Sequence, residues 1–234
     1  MGIAENIARI RERIAGAARR AGRNPDEVTL MAVTKTFPPG AIREAHAAGI
    51  RVFGENRVQE FAGKFEAVRD LERAEWHMIG HLQSNKAAKA VELFGGVDSI
   101  DSLKLAERVD AAARAAGKKM DVLIEINMGG EETKSGIAPD SGELDALLAA
   151  LPRLESVSVR GLMTVPPFTD DPEGARPYFR HLHEIRDQIA SRAIARVDMS
   201  VLSMGMSHDF EVAIEEGSTC VRVGSAIFGL RSKA

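Results

Sequence analysis

Leu30-Met31-Ala32-Val33-Thr34-Lys35-Thr36-Phe37-Pro38 is an apolar run that ends on a lysine and is stopped by Pro38-Pro39. A run of this kind reads as a buried strand, because proline cannot donate to a ladder and breaks whatever follows it. The strand Thr29 to Lys35 then carries Lys35 at its C-terminal mouth. An ammonium held there is partly desolvated, which lowers its pKa and frees the amine for carbonyl chemistry near neutral pH. The competing reading is a lysine that snorkels into water from an ordinary strand end. Nothing within the run separates the two.

Outward from this strand the chain alternates. Ile3, Ile7, Ile10, Ile14 and Ala17 recur at steps of three and four, so Gly2 to Ala21 is an amphipathic helix that precedes every strand. After strand one come helix Pro39 to Ala48, strand Arg51 to Gly54, helix Asn56 to Leu71, strand Trp76 to Ile79 and helix Ser84 to Phe94. Strand Val97 to Ile100, helix Ser102 to Ala116 and strand Met120 to Ile126 follow, then a loop from Asn127 to Pro139. Helix Ser141 to Leu151, strand Val157 to Thr164, a long helix Pro172 to Arg192, strand Val197 to Ser200, helix Asp209 to Glu216 and strand Thr219 to Val223 complete the pattern. About eight strands, each followed by a helix, imply a parallel sheet closed as a (β/α)8 TIM barrel. An open doubly wound sheet is the alternative, but no Gly-x-Gly-x-x-Gly follows the first strand. The fold class expected is α/β, with an extra N-terminal helix, and 1–234 forms one domain.

The totals narrow the function. The chain has 234 residues, 31 basic against 34 acidic, for a formal charge of -3. No block of like charge marks nucleic acid or anionic membrane as a partner. Cys220 is the only cysteine, so neither a disulfide scaffold nor a thiolate cluster can be built. Met1 to Arg23 lacks the continuous apolar core of a signal peptide, and no segment reaches the roughly 18 apolar residues of a membrane span. A cytoplasmic protein is expected.

In such a barrel, functional groups collect at the C-terminal ends of the strands. Lys35 stands after strand one, Glu55, Asn56 and Arg57 after strand two, His81, Gln83, Ser84 and Asn85 after strand three, and Asp98 to Ser102 along and after strand four. The sharpest second site is Ser203-Met204-Gly205-Met206-Ser207-His208-Asp209, after strand seven, with Val221-Arg222-Val223-Gly224-Ser225 at strand eight. Glycines let backbone N–H groups approach an anion, and Ser207 and Ser225 add hydroxyl donors, so the pair of loops suits a phosphate ester. Each loop alone reads equally well as turn and cap residues. Strand parity places Cys220, Arg222 and Gly224 on one face and Met31, Val33 and Lys35 on another shared face. A buried guanidinium needs a partner. A phosphate ester with a carbonyl for Lys35 and an acceptor for Arg222 describes pyridoxal 5'-phosphate.

Six motifs in order carry a resemblance: Ala32-Val33-Thr34-Lys35-Thr36, Phe53-Gly54-Glu55-Asn56, Trp76 to Lys86, Gly161-Leu162-Met163-Thr164, Leu202 to Ser207 and Val223 to Gly229. Together they make the chain similar to the YggS-type pyridoxal phosphate homeostasis proteins, which have the fold of the N-terminal barrel of alanine racemase without that enzyme's second domain. The resemblance implies that Lys35 forms a Schiff base with the cofactor, that Arg222 faces the pyridine nitrogen, that Ser207, Gly224 and Ser225 hold the phosphate, and that Asn56 lies near the cofactor. Phe37 stands where some relatives carry another lysine, and Ser225 where threonine is common. Lys134, in Glu131-Glu132-Thr133-Lys134-Ser135-Gly136-Ile137, matches a lysine-bearing loop of the family; it is either a rim residue in cofactor exchange or a solvated loop lysine.

Arginine at the pyridine nitrogen, always cationic, disfavours the ring proton that makes the cofactor an electron sink. Racemisation also needs a second acid/base opposite the lysine, and the only tyrosine, Tyr178, falls on an outer helix. The reading is therefore a non-catalytic cofactor-holding protein contributing to intracellular pyridoxal phosphate homeostasis, a monomer with PLP-dependent apoenzymes as candidate recipients and no catalytic residues or metal. A low-activity amino-acid racemase and a Schiff-base aldolase acting on a phosphorylated sugar are the alternatives.

Overall fold

The computed structural model describes residues 2–131 and 135–229. Eight parallel strands close into a barrel in chain order: β1 (Thr29–Val33), β2 (Val52–Glu55), β3 (Glu75–Met78), β4 (Gly96–Ile100), β5 (Met120–Glu125), β6 (Val157–Met163), β7 (Val197–Met206) and β8 (Cys220–Val223). The closing seam joins the first and last strands, with Met31 opposite Arg222 and Ala32 opposite Val223. Helices cover the outside: α1 (Ile3–Arg20), α2 (Pro39–Ala47), α3 (Val58–Phe65), α4 (Ala87–Leu93), α5 (Leu103–Ala115), α6 (Gly142–Ala150), α7 (Arg176–Ser191), α8 (Phe210–Glu215) and the short α9 (Ser225–Phe228).

The two faces of the sheet divide as period two requires. Phe53 and Trp76 stack outside the barrel with centroids 4.8 Å apart, and Phe61 of α3 joins Trp76 at 4.8 Å and Phe94 at 4.9 Å. Inside, a Cβ on Gly54 would come within 2.8 Å of the Met31 sulfur and 2.7 Å of Ile79 Cδ1, so glycine on β2 makes room for both.

The N-terminal helix closes over the seam. Ile7, Ile10 and Ile14 are buried along one face of α1, and burying an isoleucine contributes about 2 kcal/mol. Arg13 lies 4.5 Å from the centroid of Phe210 and 2.8 Å from Glu211, and Asn6 Nδ2 donates to the Ile227 carbonyl at 2.9 Å. Arg23 donates to the carbonyls of Ile214 and Ser218. α1 therefore fixes α8 and α9, the helices that follow the last two βα turns.

Most expected boundaries stand within one or two residues. The expected helix Asn56 to Leu71 is shorter, because beyond Phe65 the amides of Ala67, Val68 and Leu71 bond to carbonyls three residues back. The stretches opening at Ser84 and Pro172 begin with single 3-10 turns, Ser84–Lys86 and Pro172–Ala175, before α4 and α7. The largest correction is at β7: the strand expected to end at Ser200 runs to Met206. Its register with β8 shifts between Ser203 and Met206, and Gly205 takes φ +93° in that irregularity. The glycine reads as loop in sequence and is a bulge in a strand.

Candidate functional site

The residues flanking Lys35 are anchored from β2 and α3. Thr34 donates its backbone N–H to the Gly54 carbonyl at 3.0 Å and its hydroxyl to Glu55 Oε1 at 2.7 Å. On the other side, the Thr36 N–H donates to Glu60 Oε1 at 2.5 Å. Lys64 of α3 ties these together, donating to the Thr34 carbonyl at 3.1 Å, Glu55 Oε1 at 2.7 Å and Glu60 Oε1 at 3.0 Å. Thr36 sits at φ +68°, a left-handed conformation that costs a threonine about 1–2 kcal/mol. The ionic clamp holds that turn, and half-buried Lys35 with it, at the mouth of β1. Burial pushes the Glu55 carboxyl up against the opposing pull of Lys64 and Thr34. Glu60, also opposed by burial, is held below the usual carboxylate range by the Thr36 amide and Lys64.

β8 brings the second group. Arg222 is 3% exposed and points into the barrel, where it donates to the Ser203 carbonyl at 2.6 Å, the Ser203 hydroxyl at 2.7 Å and the Thr164 carbonyl at 2.7 Å. Three of its five donors are thus fixed on Ser203 within β7 and on Thr164 just past β6, which locks the plane of the guanidinium. Burial works against its charge, and Cys220, Asp98 and Glu125 act the other way. Gly224, two residues on, lies against β1: a Cβ there would meet Val33 Cβ and the Val33 carbonyl oxygen at 3.4 Å. Phe37 packs on Phe228 with centroids 4.7 Å apart, so the segment after Lys35 rests on α9.

The loops after β7 and β8 meet directly. The Ala226 N–H donates to Ser207 Oγ at 3.3 Å, and Asp209 Oδ1 accepts from the Met206 N–H at 2.6 Å, tightening the turn that carries Ser207. Ser207 and Gly224 are half-buried and Ser225 is exposed. Asn56, after β2, is held against β3, where a Cβ on Gly80 would come within 2.5 Å of the Asn56 carbonyl oxygen; its side-chain Oδ1 is buried without a hydrogen-bond partner. Lys35, Asn56, Arg222 and the Ser207 and Gly224-Ser225 loops therefore stand at the C-terminal end of one barrel. Lys134 lies outside the described residues.

Three contributors were missed in the sequence. Glu60 and Lys64 sit at i and i+4 on α3, a spacing that reads as an ordinary surface pair. Glu125 closes the run Val122-Leu123-Ile124-Glu125-Ile126; it is 8% exposed, and its Oε2 has no hydrogen-bond partner. A lone carboxylate inside an apolar strand was the available signal. His77 pairs with Asp98 at 2.8 Å inside the barrel, and His81 with Asp101 at 3.0 Å at the rim. Tyr178 is half-buried on α7, outside the barrel. A cavity of about 370 Å³ lined by Thr29, Met31, His77, Asp98 and Cys220 opens at the opposite, N-terminal end. Among the described residues no group of three or more His, Cys, Asp or Glu side chains could hold a metal, and no helix is long and apolar enough to cross a membrane.

The family profile described as "Alanine racemase, N-terminal domain" matches residues 5–232. The "Pyridoxal phosphate homeostasis protein" of Aquifex aeolicus is 47% identical over 99% of both chains. The chain belongs to the pyridoxal phosphate homeostasis protein family. A solved structure, PipY of Synechococcus elongatus PCC7942 with PLP bound, superposes on this family member with a TM-score of 0.83 at 38% identity, covering 97% of this chain and 100% of PipY. Alanine racemase of Clostridium difficile 630 shares the fold, with a TM-score of 0.71 at 14% identity over 99% of this chain but only 57% of the racemase. The homeostasis-family barrel thus matches a little over half of that enzyme's chain.

Proposed function

We propose that 1–234 acts as one pyridoxal 5'-phosphate-binding barrel that holds its cofactor as a Schiff base and contributes to intracellular pyridoxal phosphate homeostasis. The observation that carries the reading is the seam between β1 and β8, whose C-terminal end carries a lysine flanked by an ionic clamp, a buried arginine opposite Met31 and two interlocked serine- and glycine-bearing loops. When bound, the cofactor supplies an aldehyde that condenses reversibly with an amine. Lys35 provides that amine, its backbone fixed by the Thr34 and Thr36 anchors. Ser207, Gly224 and Ser225 receive the phosphate, and Arg222 presents its cationic plane to the ring nitrogen. Asn56 offers its buried, unpartnered Oδ1 nearby. The name of the Aquifex relative and the PLP in PipY support this assignment.

The same residues favour holding over turnover. A guanidinium fixed on Ser203 and Thr164 cannot hand the ring nitrogen a proton at neutral pH, which weakens carbanion chemistry. Tyr178 packs on an outer helix and leaves the mouth without a phenol as a second acid/base. The test is the absorbance spectrum of the protein incubated with pyridoxal phosphate, before and after borohydride. A visible band that borohydride bleaches, with one pyridoxyl group fixed at Lys35, is expected, and Lys35→Ala loses it. L-Alanine incubated with the loaded protein should keep its optical rotation. A band unchanged in Lys35→Ala, or racemised alanine, defeats the reading.

A further inference from the structure

Glu125 occupies a place for which packing offers no reason. It ends β5 on the face opposite to Val122 and Ile124, which belong to the hydrophobic cluster, and its charge interacts with that of Arg222 inside the barrel, so its side chain points inward at the C-terminal mouth. β5 pairs Glu125 with Met163, and the next residue, Thr164, is the one whose carbonyl accepts from Arg222. The hydrogen bonds of Arg222 go to Ser203 and Thr164 and none to Glu125, whose Oε2 is buried without a partner. A buried polar atom left unmatched costs about 1–3 kcal/mol. Asn56 Oδ1 is orphaned in the same way at the same mouth. Glu55 Oε2, at the end of β2, is unpartnered too, but its carboxylate is already engaged by Lys64 and Thr34; Glu125 and Asn56 have no such engagement among the described residues and mark groups that a ligand completes.

Charge decides which form of Glu125 the mouth can hold. The carboxylate of Asp101, after β4, opposes its ionisation, while Arg222 from β8 and His81 after β3 favour it. β6, the strand paired with β5 here, brings Met163 and Thr164, which carry no charge, and Lys35 stands at the end of β1 on the same rim. Burial and Asp101 prevail and push the carboxyl up to about 7.

Resting on the cofactor reading above, we propose that Glu125 meets the bound phosphate ester as a neutral carboxylic acid that donates a hydrogen bond into the site, so that loading the cofactor is coupled to one proton held at Glu125. Where the group is ionised before binding, the proton comes from solvent as the anionic ligand enters. No bond to the ligand forms at this residue. Rising pH therefore weakens retention through Glu125, independently of the amine chemistry of Lys35.

The test uses pyridoxine 5'-phosphate, which keeps ring and phosphate but has no aldehyde for Lys35, with calorimetric titration of the wild-type protein, Glu125→Gln and Glu125→Leu at several pH values. The ratio of wild-type to Glu125→Gln Kd is expected to rise about tenfold from pH 6 to pH 8, because a titrating acid of this kind loses about a decade per pH unit once above its pKa. Glu125→Leu, which neither donates nor titrates, should bind more weakly than Glu125→Gln at each pH. A ratio constant within about twofold overturns the proposal, as does equal binding by the Leu and Gln variants. Carboxyl carbon-13 spectra of wild-type protein labelled at glutamate need no variant: one carboxyl should titrate near neutrality without ligand and stay protonated with ligand at pH 8. Its ionisation in the complex would overturn the proposal. Matching pH profiles in wild type and Glu125→Gln leave the cofactor reading intact, whereas failure of both to bind pyridoxine and pyridoxal phosphates removes both.

Discussion

Burial and the Asp101 carboxylate hold a proton on Glu125 to about pH 7, well above the 4.5 of an exposed glutamate, and this has a consequence for stability that needs no ligand. A carboxyl whose folded pKa is raised favours the native state while protonated. Its contribution is fully present below the unfolded pKa, is lost as the pH rises through the folded one, and is flat beyond. The shift corresponds to about 3 kcal/mol. Glu125→Gln removes the titration and keeps the shape, so urea unfolding should show the variant gaining on wild type between pH 5 and pH 8 by up to about 3 kcal/mol. Equal pH dependence of the two proteins would count against a proton on this residue. The clamp at Lys64 is a charge pair rather than a lone acid. Its side chain is 12% exposed and Glu55 is fully buried, and removing one partner of a buried pair costs about 3–5 kcal/mol. Lys64→Met should lower stability by about 3 kcal/mol and slow the rate at which pyridoxal phosphate modifies Lys35, because the turn at Thr36 loses its anchor. A variant that unfolds more easily but reacts at the wild-type rate would show that Lys64 supports the fold alone.

Among the elements, β6 and β7 show where physical constraint and sequence pattern part. Gly161 has φ +156°, and a Cβ there would lie 1.8 Å from the Val201 carbonyl oxygen, in the irregular pairing where Val159 meets Val197 but Gly161 meets Val201. Gly161→Ala should cost more than about 3 kcal/mol, since backbone must move, while Gly117→Ala, at φ +64° with nothing within 4 Å, should cost only about 1 kcal/mol for its left-handed conformation. Chemical denaturation of the two variants separates them, and similar losses would refute the steric argument. The alternation of strands and helices was legible because each short apolar run ends in turn residues; Lys35 stands out by closing the first such run, and strand parity groups Arg222 with Gly224. The length of β7 was not, because Gly205 marks a loop in sequence and a bulge in the fold. Glu60 and Lys64 were illegible for another reason: their task lies toward β1 and β2, which no local spacing on α3 records.

At the scale of the whole molecule, the barrel closes by joining residues nearly two hundred positions apart. β1 pairs with β8, and α1 is pinned to α8 and α9 through Arg13 and Asn6, with Arg23, just past its end, bonded to α8. The proposed cofactor contacts straddle that seam, with Lys35 on one side and Ser207, Arg222, Gly224 and Ser225 on the other. A ligand that binds only the closed barrel stabilises it by mass action, about 2.7 kcal/mol at a hundredfold excess over Kd, and for a domain of this size that raises Tm by about 5–10 °C. The gain should be spatially uneven, because opening the seam breaks contacts on both sides of the cofactor while fraying at β3 to β5 breaks few. Hydrogen exchange with pyridoxal phosphate bound should therefore show added protection concentrated in residues 29–36 and 203–228. Lys35→Ala should keep part of the protection over 203–228, where the phosphate loops and Arg222 act without the covalent bond, and lose it over 29–36. Protection spread evenly around the barrel, or confined to β3 to β5, would place the ligand away from the seam.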